Sequence, residues 1–393
     1  MSILRVKSLS VVNHFWAFPT LILMRLIRPL WLFRITRIHT ERIGHFVPDS
    51  VEFIYQQEQE NRTRVSNLFF FGGISNEYWA QRVREKLKVF PHTFRYLEFW
   101  NERISGSRAH KVNAMQGSRD IYGHVTQLRE KFSFSQNENK EAKKWLMERG
   151  WVDGEPFVTL LVRDGKYLSE KHPSADLSYH DYRDSDIATY EKGIEFLNKN
   201  NIWVIRMGKS AEKRISYRSQ KIIDYAFDDT KSDFLDFWLF ANSDACISTG
   251  AGADEIAAIH GVPQMYINFL PLIAIPTFRD VFAYPKILKD AQTGVTLPPE
   301  EQLNDKLVST DAFSEFGVLI QDLTAEEILS AFKEFLPRIN GLPPEEIIEN
   351  SRQERFWASF STTPHYSEYH HYTHPNRRIS QTWLNSQNDE FFQ

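Results

Sequence analysis

Short apolar runs alternate with amphipathic stretches along much of this chain, and their order predicts an α/β protein. Asn67–Phe71 (NLFFF), closed by Gly72-Gly73, has the character of a buried strand. Glu77–Lys88, where charges alternate with Trp79, Val83 and Leu87, has that of a surface helix. Residues 101–140 are polar and irregular, Glu141–Arg149 is helical, and Gly150–Pro156 predicts a turn or linker. Beyond it, strands are predicted at Phe157–Val162, Ile202–Ile205, Asp244–Ser248 and Gln264–Phe269. Helices follow from Ser185 or Asp186 to Lys199, from Ser232 to Ala241, and from Ala253 to His260. This alternation predicts a parallel sheet covered on both faces.

The stretch DACISTGAGADEIAAIHGVPQMYIN (244–268) concentrates the candidate chemistry. It reads as strand, glycine-bearing turn, helix and strand. Gly250 and Gly252 permit a tight turn and close approach to the backbone, and the following helix presents free N–H groups suited to a phosphate. A lone Gly-x-Gly turn is equally compatible with plain helix–sheet packing. Neither GxGxxG nor GxxxxGK[ST] is present, which argues against dinucleotide oxidoreductases and P-loop NTPases. Three successive strands end in groups able to hold an anion: Arg163, Arg206 with Lys209 beyond it, and Ser248-Thr249-Gly250. Ligands of open parallel sheets sit beyond the carboxyl ends of the strands, and guanidinium forks match phosphate oxygens. A diphosphate pocket is therefore expected at Arg163, Arg206, Lys209, Ser248, Thr249, Gly250 and Gly252, with Asp254 and Glu255 in the first turn of the helix.

The 393 residues exceed one ordinary core and point to two domains. Lysine and arginine number 47 against 51 aspartate and glutamate, so the chain carries no nucleic-acid signature. The one cysteine, Cys246, lies in a predicted buried strand and excludes an internal disulfide framework. The N-terminus departs from this balance. Within residues 1–45, Arg5, Lys7, Arg25, Arg28, Arg34, Arg37 and Arg42 face Glu41 alone, interleaved with Trp, Phe and Leu. The uncharged run Ser8–Met24 contains Asn13, His14 and Pro19, which disfavours a full span. Residues 1–35 are expected to lie on an anionic membrane surface at the cytoplasmic face, the alternative being a domain-packing element.

Several ordered blocks carry a resemblance: Phe157–Arg163, YHDYRDSDIATY (179–190), WVIRMG (203–208), SDFLDFWLF (232–240), ISTG (247–250), RIGH (42–45) and RRIS (377–380). Together they resemble a bacterial family of glycosyltransferases associated with surface-polysaccharide biosynthesis, over about residues 25–275. The resemblance implies a GT-B-like architecture, two Rossmann-like domains facing across a cleft. The divisions expected are 1–35 membrane-proximal, 36–150 acceptor domain, 151–335 nucleotide-sugar-binding domain, and 336–393 a helical tail packing back on the domains. It also implies a nucleotide-sugar donor and a glycan or lipid-linked acceptor. Many GT-B enzymes hold the ribose with a Glu five residues before the Gly that ends this helix. Here that position is Ile256.

Glycosyl transfer by inversion needs a base for the acceptor hydroxyl and groups that stabilise the departing diphosphate. His45, read in a first-domain loop, and Asp184, after the first strand of the second domain, are the catalytic candidates. Asp49 is read as a cap for a helix starting near Ser50, and Asp186 as the cap of its own helix. His365, His370, His371 and His374 lack metal-site spacing and read as packing or a surface loop, so neither metal nor cofactor is expected. Rival functions are a nucleotide-sugar epimerase on the same scaffold and a non-catalytic nucleotide-binding scaffold protein.

Overall fold

The computed structural model describes residues 2–113, 119–128, 131–171, 178–343, 351–363 and 366–387; of residues 2–11, Leu168 and Lys171 only the backbone is described. The chain is a mixed α/β protein dividing into two compact units. One comprises Met1–Asp120 and His124–Glu130; the other comprises Ile121–Gly123 and Lys131–Gln393.

The first unit is built on a parallel three-stranded sheet in the order β1-β2-β3: β1 (Leu32–Ile38), β2 (Val65–Phe71) and β3 (Val89–Phe90). Helices α1 (Ser2–Leu26), α2 (Ile43–Gln59), α3 (Glu77–Lys86) and α4 (Arg95–Arg103) accompany it. Leu68 and Phe70 of β2 join Ile35 of β1 in a cluster with Ala17 and Leu21 of α1 and Tyr96 and Leu97 of α4. On the alternate β2 positions, Phe71 and Phe69 meet Phe46 and Phe53 of α2 at 5.4 and 5.1 Å between ring centroids.

The expected surface segment 1–35 is thus, in part, structural core. β1 begins inside it, and α1 buries Ala17 and Leu21. Several of its arginines have partners within the unit. Arg25 donates to the Asn101 side chain at 2.6 Å, and Arg34 pairs with Glu60 at 2.7 Å. Arg37, just beyond the segment, pairs with Glu41. The opposite face of α1 is apolar and exposed, with Val12, Phe15, Leu23 and Leu26 falling on one side by helical periodicity. Phe15 and Leu26 are 77% and 72% accessible. Among the described residues, no helix is long and apolar enough to cross a membrane.

Among the described residues, the second unit holds a sheet of seven parallel strands in the order β12-β9-β8-β7-β4-β5-β6. They are β4 (Phe157–Leu161), β5 (Trp203–Arg206), β6 (Ile222–Ile223), β7 (Ala245–Ser248), β8 (Gln264–Phe269), β9 (Val281–Pro285) and β12 (Arg378–Ile379). An antiparallel pair, β10 (Ile287–Asp290) and β11 (Val318–Gln321), stands apart. The helices are α5 (Gln136–Met147), α6 (Lys166–Lys171), α7 (Glu191–Lys199), α8 (Asp233–Ala241) and α9 (Glu255–Ile259). Then follow α10 (Pro299–Gln302), α11 (Thr310–Glu315), α12 (Ala325–Ile339), α13 (Ser351–Thr362), α14 (Tyr366–Tyr369) and α15 (Gln381–Ser386). From β4 the chain moves outward to β5 and β6, then crosses back to place β7, β8 and β9 on the other side. Strand order therefore reverses between β4 and β7, where open α/β sheets form a crevice at the strand ends.

Two expected boundaries move. The units divide around residues 121–131, not at Gly150, because α5 belongs to the second unit. A Ser135/Glu138 capping box starts α5, and its Trp145 donates to Thr230 Oγ1 at 2.7 Å. Trp238 donates to Asn139 Oδ1 at 2.9 Å. The tail belongs there too. Of the expected tail 336–393, Phe356 and Phe360 of α13 sit in the second unit's core with Trp383 and Leu384. Arg378–Ile379 extends its sheet beside β9.

Candidate functional site

The three expected anion-holding strand ends belong to adjacent strands, β5, β4 and β7. The β4 and β7 ends are joined directly, because the backbone N–H of Arg163 donates to Thr249 Oγ1 at 3.0 Å. Thr249 is fully buried and continues the ladder, donating to Leu161 O at 3.1 Å. Gly250 has φ +81, and a Cβ there would lie 2.5 Å from the Phe269 ring. Both conformation and packing require glycine at this position.

Ser248 organises the turn. Its Oγ accepts from Gly250 N at 3.0 Å and donates to Asp254 Oδ2 at 2.6 Å. Asp254 is buried beneath the turn, and burial pushes its carboxyl up to about 7, with Glu255 adding to the shift and Ser248 and Arg279 opposing it. Glu255 is held by Arg279 through both oxygens, at 3.1 and 2.8 Å. Gly252 stays exposed and opens the 3-10 turn Gly252–Asp254 that leads into α9. The predicted helix Ala253–His260 thus divides into that turn and the shorter α9.

The strand-end cations are committed internally. Arg163 Nε donates to Asp184 Oδ1 at 2.9 Å. Arg206, although at the end of β5, is 1% exposed and points into the unit. Its guanidinium donates to Lys213 O and lies 3.6 Å from Asp224 and 3.8 Å from Asp164. Lys209 pairs with Asp233 at 3.3 Å. Burial raises the Asp184 carboxyl, against the pull of Arg163. A cavity of about 280 Å³ opens beside these groups, lined by Asp164, Asp184, Asp186, Glu212 and Asp322, with Lys213 opposing them. Such a lining accepts hydrogen bonds from hydroxyl-rich groups and repels a diphosphate.

Reading the sequence did not single out Arg183. Its guanidinium donates to Gly250 O and is in no ion pair among the described residues. It lies inside YHDYRDSDIATY, so the block was visible while the side chain's direction was not. Asp186 caps the following turn, accepting from Ala188 N at 3.1 Å, as its sequence position predicted.

In the first unit, His45 is exposed in the opening turn of α2, its N–H donating to Arg42 O at 3.0 Å. It is helical and not in a loop. The helix starts at Ile43 and runs through Pro48, so Asp49 is an interior buried residue and not a cap. A histidine–carboxylate pair went unread: His124 Nδ1 lies 2.7 Å from the buried Glu52 Oε2, and the ring stacks on Tyr55 at 4.0 Å. Residue spacing gave no signal, since 72 positions separate the partners. Of the C-terminal histidines, His365 lies outside the described residues. Both ring nitrogens of His370 are engaged, Nδ1 with Thr277 Oγ1 at 2.8 Å and Nε2 with Ile273 O at 2.9 Å.

No family model and no curated protein matches the chain. Among solved structures it is similar to the glycosyl transferase family 9 protein from Veillonella parvula DSM 2008, at 9% identity and TM-score 0.40, over 65% of this chain and 86% of that one. It is also similar to E. coli ADP-heptose lps heptosyltransferase II, at 11% identity and TM-score 0.43, over 79% of this chain and 99% of that one.

Proposed function

We propose that the protein is a glycosyltransferase. It takes a nucleotide-diphosphate sugar at the β4/β7 crevice and passes the sugar to a glycan or lipid-linked acceptor in cell-surface polysaccharide synthesis. The observation that carries this reading is the reversal of strand order between β4 and β7, with the glycine turn and Arg183 at that point. The diphosphate would displace Ser248 Oγ from the turn amides and meet Arg183. The carboxylate-lined cavity beside it suits the hydroxyls of the transferred sugar. Arg163 serves by holding Asp184, and Arg206 by holding Asp164 and Asp224.

In an inverting transfer, a base takes the acceptor hydroxyl proton as its oxygen bonds to the anomeric carbon and the diphosphate leaves. His45 and Asp184 remain the proposed candidates. The His124–Glu52 pair favours a second assignment, because a carboxylate on Nδ1 fixes the orientation of an imidazole.

The test is thermal unfolding of the intact protein with ADP, GDP, UDP and CDP in turn. One of them should stabilise it, by about 2.7 kcal/mol at a hundredfold excess over Kd. Stabilisation by none sinks the reading. Interconversion of a bound nucleotide sugar without any acceptor would favour the epimerase.

We also propose that the exposed face of α1 rests on an anionic membrane, placing the enzyme at the inner face of the cytoplasmic membrane. Support comes from the apolar stripe opposite Ala17 and Leu21, and from exposed Arg28 at its end. The intact protein should sediment with phosphatidylglycerol vesicles, and Phe15→Asp combined with Leu26→Asp should abolish this. An intact protein that ignores such vesicles would remove the membrane from the proposal.

A further inference from the structure

Most arginines described above meet a carboxylate: Arg163 with Asp184, Arg206 with Asp164 and Asp224, Arg279 with Glu255. Arg377 and Arg378 do not, being in no ion pair among the described residues. Arg377 donates to His374 O at 3.2 Å, and Arg378 donates to Pro375 O at 2.9 Å and Arg377 O at 2.8 Å. Among the described residues, the two adjacent guanidiniums therefore donate to backbone carbonyls alone. The Nε–H of Arg378 is buried without an acceptor among the described residues. Burial and the neighbouring Arg378 charge both disfavour the cationic form of Arg377.

These two side chains line a cavity of about 390 Å³ with Gln353, Glu354, Trp357 and Ala358 of α13. The wall is fixed in place. Gln353 Oε1 accepts from Trp357 Nε1 at 3.2 Å and from Ile379 N at 3.3 Å, while its amide donates to Ile379 O. Arg377 lies over the Trp357 ring at 5.2 Å. A partly exposed indole beside two guanidiniums lacking carboxylates suits a ring-shaped ligand bearing an oxyanion. Glu354, exposed, is the one acidic group in the lining among the described residues and disfavours a polyanion. Arg378 opens β12, so the cavity lies at the amino end of an edge strand, whereas the Gly250 turn follows the carboxyl end of β7.

We propose that this cavity is a second ligand site, taking a small cyclic molecule that carries a carboxylate or a phosphate. The anion lies between Arg377 and Arg378, and the ring rests against Trp357. The site is independent of the donor site proposed above.

The intact protein would be titrated calorimetrically with D-glucuronate, glucose 6-phosphate and, as a neutral control, glucose. At least one anion should bind, with glucose failing to bind; which anion binds separates the carboxylate from the phosphate source. Arg377→Gln and Arg378→Gln should each weaken binding at least tenfold, and Trp357→Phe several-fold. Binding should persist in the presence of the nucleoside diphosphate that best stabilises the protein. The Lys variants Arg377→Lys and Arg378→Lys keep the charge and guard against misfolding; each should weaken binding several-fold. The proposal is overturned if neither anion binds, if glucose binds equally, if the nucleotide competes, or if folded Gln or Lys variants bind as the parent does.

Discussion

At the carboxyl edge of each sheet a glycine turn follows a buried strand, but the two turns hold different groups. In the first unit Gly73 donates to the Glu41 carboxylate. A Cβ on Gly72 would lie within 3 Å of that same side chain and of Arg37. Burial alone would raise the Glu41 carboxyl, yet hydrogen bonds from the backbone and Arg37 hold it below its ordinary value. That turn is closed by an internal anion. In the second unit Gly250 N meets the neutral hydroxyl of Ser248, behind which Asp254 is driven toward its neutral form. A covalently tethered carboxylate is hard to displace, whereas a hydroxyl can yield its position to a phosphate at little electrostatic cost. The difference identifies which of two similar turns is suited to an exchangeable ligand.

The largest effect that would sharpen this comparison comes from Arg206→Met. It leaves Asp224 and Asp164 without their buried cation and should destabilise the protein by about 3–5 kcal/mol, read as a lowered urea midpoint. A midpoint within error of the parent would return Arg206 to the list of ligand-binding groups. Gly250→Val comes next. Its positive φ and the Phe269 contact should together cost about 2–4 kcal/mol, through overpacking and backbone strain. Gly252→Ala, at an exposed position without positive φ, should retain the parental midpoint. Retained stability in Gly250→Val would show that the turn is looser than the Phe269 contact implies.

Arg183→Ala should weaken binding of the preferred nucleoside diphosphate by about 1.5–3 kcal/mol with little loss of stability, since it removes a cation in no ion pair among the described residues. Equal binding would place the diphosphate elsewhere. The most gradual effect, spread over a range of pH, is in pH dependence. The Asp254 carboxyl is raised, so the folded protein keeps a proton that the unfolded chain releases from about pH 4. This group's stabilising contribution is present at low pH and falls as pH rises toward about 7. Asp254→Asn should flatten that part of the stability profile, measured by urea unfolding between pH 4 and 8. An unchanged slope would assign the titration to another group.

Much of the second unit was legible because its strands are short, apolar and punctuated: β4, β5, β7 and β8 fell within a residue or two of their predicted limits. That β4, β5 and β7 share one parallel sheet followed from the alternation of strands and helices, whereas the place of β7 beside β4 did not. The direction of each arginine did not, because the partners of Arg206 come from residues 164, 213 and 224. β1 was hidden by Arg34 and Arg37, whose charges suggested a surface segment, while Glu60, the partner of Arg34, lay outside the local window. The start of α2 was hidden by Pro48, which reads as a breaker but is accommodated within the helix. β12 has two residues and no pattern to read.

That last strand carries a consequence for how the molecule is made. The sheet of the second unit begins with β4 and receives its β12 edge more than 200 residues later. Residues 1–120 can collapse around their own three strands while the ribosome is still working. The larger sheet must instead wait, with the flank of β9 unpaired, until Arg378–Ile379 and the Trp383–Leu384 plug that follows have been synthesised. During that interval the chain exposes an apolar strand edge of the kind chaperones protect. Loss of these residues would therefore be felt first as poor yield from translation, before any defect in the finished protein could be measured.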